Sequence, residues 1–274
     1  MSATDAPRRT RVGAYALWQL RDYAKDRGLP TLIVSILTGY LGLSPMLGQM
    51  PSRGERVSPA LLARFGSAEA VHAARMAEFN QVFLHGVLGT LVFVGALFAM
   101  NGIVANDRKQ GYYRFLFAKP VTPSRYYGQA FVVHWAGFVA VMILLVLAYG
   151  QLIWPVLSQP LVVGIALMFL AYSGIAFLLS AVARWDWLSL VAVSVVATLL
   201  WSRFGDSSHP VAELLYLLPP LHRADEVYAW AAAPAHAGDA HALPWPIMLW
   251  LSGYGADCFL AGLVVLRYRR LAIV

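Results

Sequence analysis

Long apolar stretches alternate with short polar ones along most of this chain. Six stretches are long and apolar enough to cross a hydrocarbon core, which needs about 20 helical residues. They lack the strict alternation of apolar and polar residues that is typical of β-barrel strands. The pattern predicts an all-α integral membrane protein with six transmembrane helices, at 29–47, 82–105, 130–154, 161–183, 187–204 and 247–266.

The composition agrees with a membrane protein. Of the 274 residues, 59% are hydrophobic and 13% are charged, which leaves too little polar surface to cover a water-soluble globule of this size. The N-terminal stretch lacks an apolar core followed by a small-residue cleavage site, so we expect no removable signal peptide. The single cysteine, Cys258, has no partner within the chain, and we expect no intramolecular disulfide.

Basic residues predict the orientation. Lys and Arg collect on the cytoplasmic flanks of membrane spans, and here they crowd the N-terminal segment, the segment between spans two and three, and the C-terminus. Both termini are therefore predicted to be cytoplasmic. The sequence pI near 9.7 follows from this bias and from anionic lipids, so we expect membrane lipids and no nucleic acid as partners. The Arg- and Ala-rich composition favours a bacterial inner (plasma) membrane.

The segment before the first span has the period of an amphipathic helix. Over residues 11–27 the apolar side chains share one face and the charged ones cover the other. Gly28-Leu29-Pro30 is expected to break this helix, so that it lies in the cytoplasmic interface and bends into the membrane. The alternative is a frayed, solvated tail.

Two outer segments are predicted between spans. In the first, Ser58-Pro59 is expected to start a surface helix of modest length that runs on past Val71 and Met76. In the second, 207–245, an apolar helical stretch is about half the length needed to span and stops at Pro219-Pro220, and a second short piece follows. We expect a re-entrant hairpin whose ends are buried by protein. The alternative is two surface helices that lie flat on the membrane.

The cytoplasmic segment 106–127 is short, basic and rich in aromatic residues. Gly111 allows a sharp entry, residues 112–117 can form a helical turn and a half, and Lys119-Pro120 ends it. Aromatic residues and Arg often dominate protein interfaces. The alternative is an ordinary basic loop whose aromatic side chains sit in the lipid interface.

The order of these elements carries a family resemblance. An interfacial helix, six spans with both ends inside, a basic Gly-containing turn between spans two and three, and a Leu/Pro-rich re-entrant element before span six resemble the membrane subunit of the type-2 ABC exporters. The specific part of the resemblance is the 106–127 segment, in which Asn106 stands where an acidic residue is common and Asp107 is the one carboxylate.

The resemblance implies a permease subunit whose segment 106–127 contains a coupling helix that docks on a cytoplasmic ATPase. The matching interface residues are Asp107, Arg108, Gly111, Tyr112, Tyr113, Arg114, Phe115 and Lys119. It also implies two nucleotide-binding ABC ATPase subunits per complex, which would hold ATP and Mg, and a second permease, identical or homologous. Leu217, Pro219 and Pro220 would form an outer gate. The chain itself lacks Gly-x-x-x-x-Gly-Lys-Ser/Thr, so we expect it to bind no cofactor and to hydrolyse no ATP alone.

One acidic residue, Asp257, falls midway along the predicted last span. An ionised carboxylate there is costly unless it is paired or hydrated. We therefore expect Asp257 to face protein or a watery path. It either acts as a substrate-contacting or proton-sensitive group, or it holds span six to a neighbour through Tyr254, Ser252 or a facing polar group.

Two other classes of protein were weighed against a permease. A membrane enzyme would need a catalytic set, and Ser173 with His85 or His134 is the nearest candidate, although a helix-packing serine is favoured. The outer histidines, His209, His222, His236 and His241, show no spacing typical of a metal site. A non-transporting scaffold or sensor, which binds a cytoplasmic partner through the basic segment, is the alternative function.

Overall fold

A computed structural model describes residues 17–52, 56–100, 103–104, 107, 122–182, 186–205, 211–233 and 244–268. Within these ranges the regular structure is helical and no strand occurs. The helices, in chain order, are α1 (Leu17–Gln49), α2 (Pro59–Phe65), α3 (Ala68–Met100), α4 (Pro123–Leu152), α5 (Gln159–Val182), α6 (Asp186–Phe204), α7 (Val211–Leu215), α8 (Ala224–Ala232) and α9 (Trp245–Tyr268). A 3-10 turn, Leu221–Arg223, leads into α8.

Five of these helices are long and apolar enough to cross a membrane: α1, α3, α4, α5 and α9. The predicted all-α membrane architecture is confirmed at this level. Helix α6 differs from these five because its apolar part, Leu188–Phe204, is shorter, at no more than 17 residues. A span of that length lies at the lower limit for crossing the hydrocarbon core.

The predicted break between the N-terminal helix and the first span is wrong for the described part, which begins at Leu17. The chain stays helical through Gly28, Leu29 and Pro30 as one helix, α1. A π turn over Ala24–Gly28 precedes the proline, and the Leu29 N–H donates to the Ala24 carbonyl. Because proline cannot donate a backbone hydrogen bond, this wider turn accommodates it without ending the helix.

The surface helix predicted after Ser58 is also shorter than expected. Ser58 caps α2, since its Oγ accepts the Leu61 N–H at 3.4 Å, and Gly66 ends the helix in the left-handed region at φ 81°. Ser67 Oγ then accepts the Ala70 N–H at 3.1 Å as α3 begins. Val71 and Met76 therefore belong to α3, where both are buried, and the helix of the second span starts at Ala68 rather than at 82.

Helix α5 occupies the centre of the bundle. Over an apolar stretch of 18 residues, 67% of the residues of α5 are buried, whereas 11% of the residues in the corresponding stretch of α1 are buried. Phe169 of α5 stacks on Phe138 of α4 with ring centroids 3.9 Å apart. Gly95 of α3 leaves room for this pair, because a Cβ there would lie 2.0 Å from the Phe138 ring.

Helices α5 and α9 touch through their backbones at one point, which we call the glycine seam, formed by Ala171, Gly174 and Gly255. A Cβ added to Gly174 would lie 1.9 Å from the Gly255 carbonyl oxygen, and one added to Gly255 would lie 2.6 Å from the Ala171 Cα. Small residues at helix contacts allow such close approach, which is a common way to associate helices in lipid. The seam fixes the face that α9 turns toward α5.

The segment before the last span contains two short helices, as predicted. Helix α8 packs between α3 and α5: Tyr228 lies against Gly89, Ala231 lies against Gly164, and Val227 is fully buried. Helix α7 is more exposed, with Leu214 62% accessible. Protein thus buries one face of α8, and the re-entrant course of this segment stays a prediction. Residues 206–210 and 234–243 of this segment lie outside the described residues.

Candidate functional site

The polar contacts of the bundle gather at its two ends. Because successive long helices run in opposite directions, Arg27, Phe98, Tyr127 and Ser180 come to the same end as Asp107. We call this the Asp107 end. The other end contains α8 with Asp225, and we call it the Asp225 end.

Most of the predicted interface with an ATPase lies outside the described residues. Those positions are Arg108, Gly111, Tyr112, Tyr113, Arg114, Phe115 and Lys119. Of the predicted interface residues, Asp107 lies within the described part of the chain. The next described residue is Thr122, which directly precedes α4. The candidate site therefore consists of the described residues that lie on either side of the 108–121 segment and hold it to the helices.

Asp107 and Tyr127 join these two ends. The Tyr127 hydroxyl donates to Asp107 Oδ2 at 3.0 Å, and the Tyr127 side chain is fully buried in the start of α4. Burial raises the pKa of the Asp107 carboxyl from 3.8 to about 6, against the opposing effects of the Tyr127 hydrogen bond and the charge of Arg27. The Asp107 side chain thus points toward the bundle.

Two further hydrogen bonds attach this end to other helices. Arg27 Nη1 of α1 donates to the Phe98 carbonyl at 3.1 Å, and the Val104 N–H donates to Ser180 Oγ of α5 at 3.2 Å in a buried position. Together with the Asp107–Tyr127 bond they form what we call the polar clamp. The clamp connects the chain on both sides of the 108–121 segment to α1, α3, α4 and α5.

Aromatic packing continues from the clamp into the bundle. Phe131 of α4 stacks on Phe259 of α9 at 4.1 Å, and Phe177 of α5 lies 5.7 Å from Phe131 and 5.1 Å from Phe259 between ring centroids. These three rings join α4, α5 and α9 one turn beyond Tyr127. A displacement of the start of α4 would therefore be passed to both of the other helices.

The nearest catalytic candidates, Ser173, His134 and His85, share no hydrogen bond or ion pair with one another within the described part of the chain. Ser173 Oγ donates to the Leu170 carbonyl at 3.2 Å, and His134 Nδ1 lies 2.7 Å from the Ala130 carbonyl. His85 is on α3, where its Nε2 lies 2.9 Å from Asp225 Oδ1 of α8. Among the described residues, no group of three His, Cys, Asp or Glu side chains could hold a metal ion.

The predicted gate residues occupy a turn at the Asp225 end. Leu217 is 73% exposed, whereas Pro219 and Pro220 are buried. The Leu217 carbonyl accepts the Tyr254 hydroxyl of α9 at 2.9 Å. Four rings surround this turn in a cluster in which the centroids lie 3.9 to 6.2 Å apart: Trp201, Tyr216, His222 and Trp250.

The sequence predicts that Asp257 faces protein or a watery path, and it does not face the protein of its own chain. It is exposed on the surface of α9, because the glycine seam turns the opposite face of that helix toward α5. The two partners suggested from sequence bond elsewhere: Tyr254 donates to Leu217, and Ser252 Oγ donates to the Met248 carbonyl at 2.6 Å. Tyr254 and Ser252 therefore do not hold Asp257, while contact with a facing polar group or with substrate stays a prediction.

Sequence reasoning missed the contacts of the polar clamp. Tyr127 lies within the predicted segment 106–127 without a predicted partner, and Ser180 and Arg27 have no predicted link to that segment. A signal for Ser180 does exist, since a hydroxyl within the last turn of an apolar span needs a partner.

No family model matches the chain, and no curated protein or solved structure matches it. The class of protein is therefore defined by the fold alone: an α-helical protein whose five long apolar helices indicate a multi-pass membrane protein.

Proposed function

We propose that this chain is the permease subunit of an ATP-driven exporter of the type-2 ABC class. In this proposal ATP hydrolysis by a separate nucleotide-binding subunit moves the 108–121 segment, and the helices that the segment joins rearrange to release substrate on the outer side. Helix α6 completes six spans, both termini are cytoplasmic, the chain lies in a bacterial inner membrane, and two permeases work with two ATPase subunits that hold ATP and Mg.

The polar clamp is the observation that carries this proposal. A loop that served only to connect two spans would need no attachment to a third. Here the Asp107–Tyr127 bond closes the base of the segment, and the Val104–Ser180 bond reaches the central helix α5. Force applied to the basic, aromatic segment would reach α3, α4 and α5 together, which is what a coupling element requires.

The Asp225 end supplies the second part of the mechanism. The turn that contains Leu217, Pro219 and Pro220 is held to α9 by the bond to Tyr254 and by ring packing. Ring contacts of this kind contribute about 0.5–1.5 kcal/mol each, so they can be exchanged at modest cost. We propose that this turn opens and closes the outer end of the pathway.

Co-purification in mild detergent tests the proposal. The natural chain is compared with a variant that carries Arg114→Ala and Phe115→Ala in the cytoplasmic segment. The matched control carries Arg64→Ala and Phe65→Ala, which removes the same Arg-Phe pair from α2, near the Asp225 end. We expect an ATPase bearing a Gly-x-x-x-x-Gly-Lys-Ser/Thr motif to accompany the natural chain and the control, and to be lost from the segment variant.

Two results would overturn the proposal. Recovery of an ATPase that is equal in all three samples would mean that the segment is not the docking element. Absence of any ATPase under conditions that preserve other membrane complexes would favour a scaffold or sensor that binds a different cytoplasmic partner.

A further inference from the structure

The outward face of α9 contains a carboxylate in an apolar surface. Asp257 lies at the middle of this 24-residue helix and is exposed. The large apolar side chains that share the face are also exposed, with Leu249 at 64%, Leu260 at 56% and Val264 at 54%. The face therefore runs nearly the full length of the helix with a single acidic group at its centre.

Rotation of α9 cannot bring Asp257 into the bundle. The opposite face packs through Gly255, where an added Cβ would lie 2.6 Å from the backbone of Ala171, and through Gly262, which lies against Phe177. Any rotation would move a larger side chain into this backbone contact. The orientation of Asp257 is thus set by the glycine seam and not by Asp257 itself.

An ionised carboxylate at this depth costs several kcal/mol in lipid unless a partner or water compensates it. Among the described residues Asp257 has no hydrogen bond or ion pair from its own chain. Phospholipid headgroups lie at the membrane surfaces, about half the thickness of the hydrocarbon core away. Neither a headgroup nor a partner among the described residues compensates Asp257, which leaves water or a group of another molecule at mid-depth.

The chain's own sequence excludes a second copy as the source of a positive charge at this depth. It contains no Lys or Arg between Arg27 and Arg53, Arg75 and Arg108, Arg125 and Arg184, Arg184 and Arg203, or Arg223 and Arg267. The Lys and Arg residues of every long apolar helix thus lie outside its central apolar part. Two copies meeting through α9 would instead place two carboxylates opposite each other, and like charges at close range oppose association.

The surface next to Asp257 admits a helix closely. Gly253, one turn away on the same face, is a position at which a Cβ would meet nothing within 4 Å. A small residue beside a polar one is the arrangement that lets two membrane helices approach and form a hydrogen bond. We propose that the outward face of α9 binds a transmembrane helix of a different polypeptide, which presents a Lys or Arg side chain to Asp257 at mid-depth. This proposal does not depend on the function of the 108–121 segment.

Energy transfer in vesicles tests this inference with defined probes. The full-length chain, dye-labelled at its N-terminus, is reconstituted in phosphatidylcholine vesicles with one of two synthetic Leu/Ala transmembrane helices, which carry either Lys or Leu at the central position. We expect half-maximal transfer to need about tenfold less of the Lys helix than of the Leu helix, as for one polar pair within the membrane. Asp257→Asn should remove that difference. Asp26→Asn, which neutralises an exposed carboxylate in α1, should keep it.

Each other outcome overturns the proposal. Equal binding of the two probes to the natural chain would mean that Asp257 does not select a basic partner. A preference that persists in Asp257→Asn would place the selective group elsewhere. Transfer between two labelled copies without a probe, abolished by Leu260→Trp, would mean that a second copy of the chain covers this face. Asp257→Leu provides a second neutral variant, and circular dichroism confirms that each variant is helical.

Discussion

The glycine seam and the polar clamp both connect α5 to other parts of the chain, but they do so by different forces. The seam brings two backbones into direct contact at Gly174 and Gly255. The clamp consists of separate hydrogen bonds, such as the 3.2 Å bond from Val104 to Ser180. Packed backbones tolerate almost no displacement, whereas a hydrogen bond contributes about 1 kcal/mol and can be exchanged.

This difference indicates which parts of the molecule move together. Helices α5 and α9 form one rigid unit, since any relative shift would lose the close approach at the seam. The clamp joins that unit to the 108–121 segment through contacts that can break and re-form. A signal that enters at the segment would therefore displace α5 and α9 as a pair. The following predictions test the comparison, starting with the largest expected effect.

Gly255→Leu should destabilise the chain most. The side chain would have to occupy backbone volume of Ala171, and overpacking of this kind costs about 3 kcal/mol or more. The measurement is the melting temperature of the purified chain in detergent, followed by its monodisperse fraction. Gly253→Leu on the open face of the same helix is the control and should change stability by less than about 0.5 kcal/mol. Similar losses in both variants would contradict the seam.

Asp107→Asn should change how stability depends on pH. The native pKa of about 6 lies above the ordinary value of 3.8, so the folded state binds the proton more tightly than the unfolded state. The natural chain should therefore lose stability as pH rises from about 4 to 6 and stay level above that range. The Asn variant keeps the acceptor for Tyr127, and it should be more stable by roughly 3 kcal/mol at pH 7.5, since a pKa difference of one corresponds to about 1.4 kcal/mol.

Melting temperatures between pH 3.5 and 7.5 check this prediction. The difference between the two chains should shrink steadily toward pH 3.5, below the ordinary pKa of 3.8, where the carboxyl is mostly protonated in both states. A difference of the same size at every pH would mean that the substitution acts through packing and not through the charge of Asp107.

Ser180→Ala removes the acceptor of a buried backbone N–H. The unpaired Val104 N–H should cost about 1.5 kcal/mol. Ser202→Ala is the matched control, because the Ser202 hydroxyl is exposed and, within the described part of the chain, bonds only to the Leu199 carbonyl of its own helix. Thermal unfolding of both variants distinguishes them, and an equally small effect in each would indicate that the Val104–Ser180 bond contributes nothing to the clamp.

Tyr127→Phe should have the smallest effect of the series, about 1 kcal/mol. The measurement is made at pH 5, below the pKa of Asp107 of about 6, so that the carboxyl is mostly neutral. Tyr268→Phe, at a hydroxyl-bearing ring that is 77% exposed, serves as control. If the clamp transmits motion, hydrogen exchange of α5 amides near Ser180 should also increase in Tyr127→Phe and not in the control.

The sequence predicted the helical membrane architecture because apolar runs of span length leave few alternatives. The sequence-based prediction was wrong about the start of α3, where polar residues continue an apolar helix. Glu69, Arg75 and Glu78 gave the start of α3 the composition of an outer segment, although the same residues continue the helix of the second span. Hydropathy reports lipid contact and not helix length, so the start at Ala68 could not be found that way.

The environment of Asp257 could not be predicted, because a sequence gives the depth of a residue in a span but not the direction it faces. That direction depends on which face of α9 packs on α5. A signal was present, since Gly255 and Gly262 lie seven residues apart on one face, and small residues at that spacing favour helix contact. The contact of Asp107 had no such signal, because Tyr127 approaches it only through the tertiary fold.

The π turn at Ala24–Gly28 has a consequence for the history of the chain. A π turn holds one residue more than the α-helical turn it replaces, so it is equivalent to a single-residue insertion absorbed within a helix. Each residue of an α-helix advances about 100° around its axis. Deleting one residue from this turn would swing Tyr23 away from Gly137, where the two lie so close that an added Cβ would be 2.2 Å from the tyrosine ring. A single inserted codon would then have been enough to turn the start of α1, with Tyr23, against Gly137 of α4.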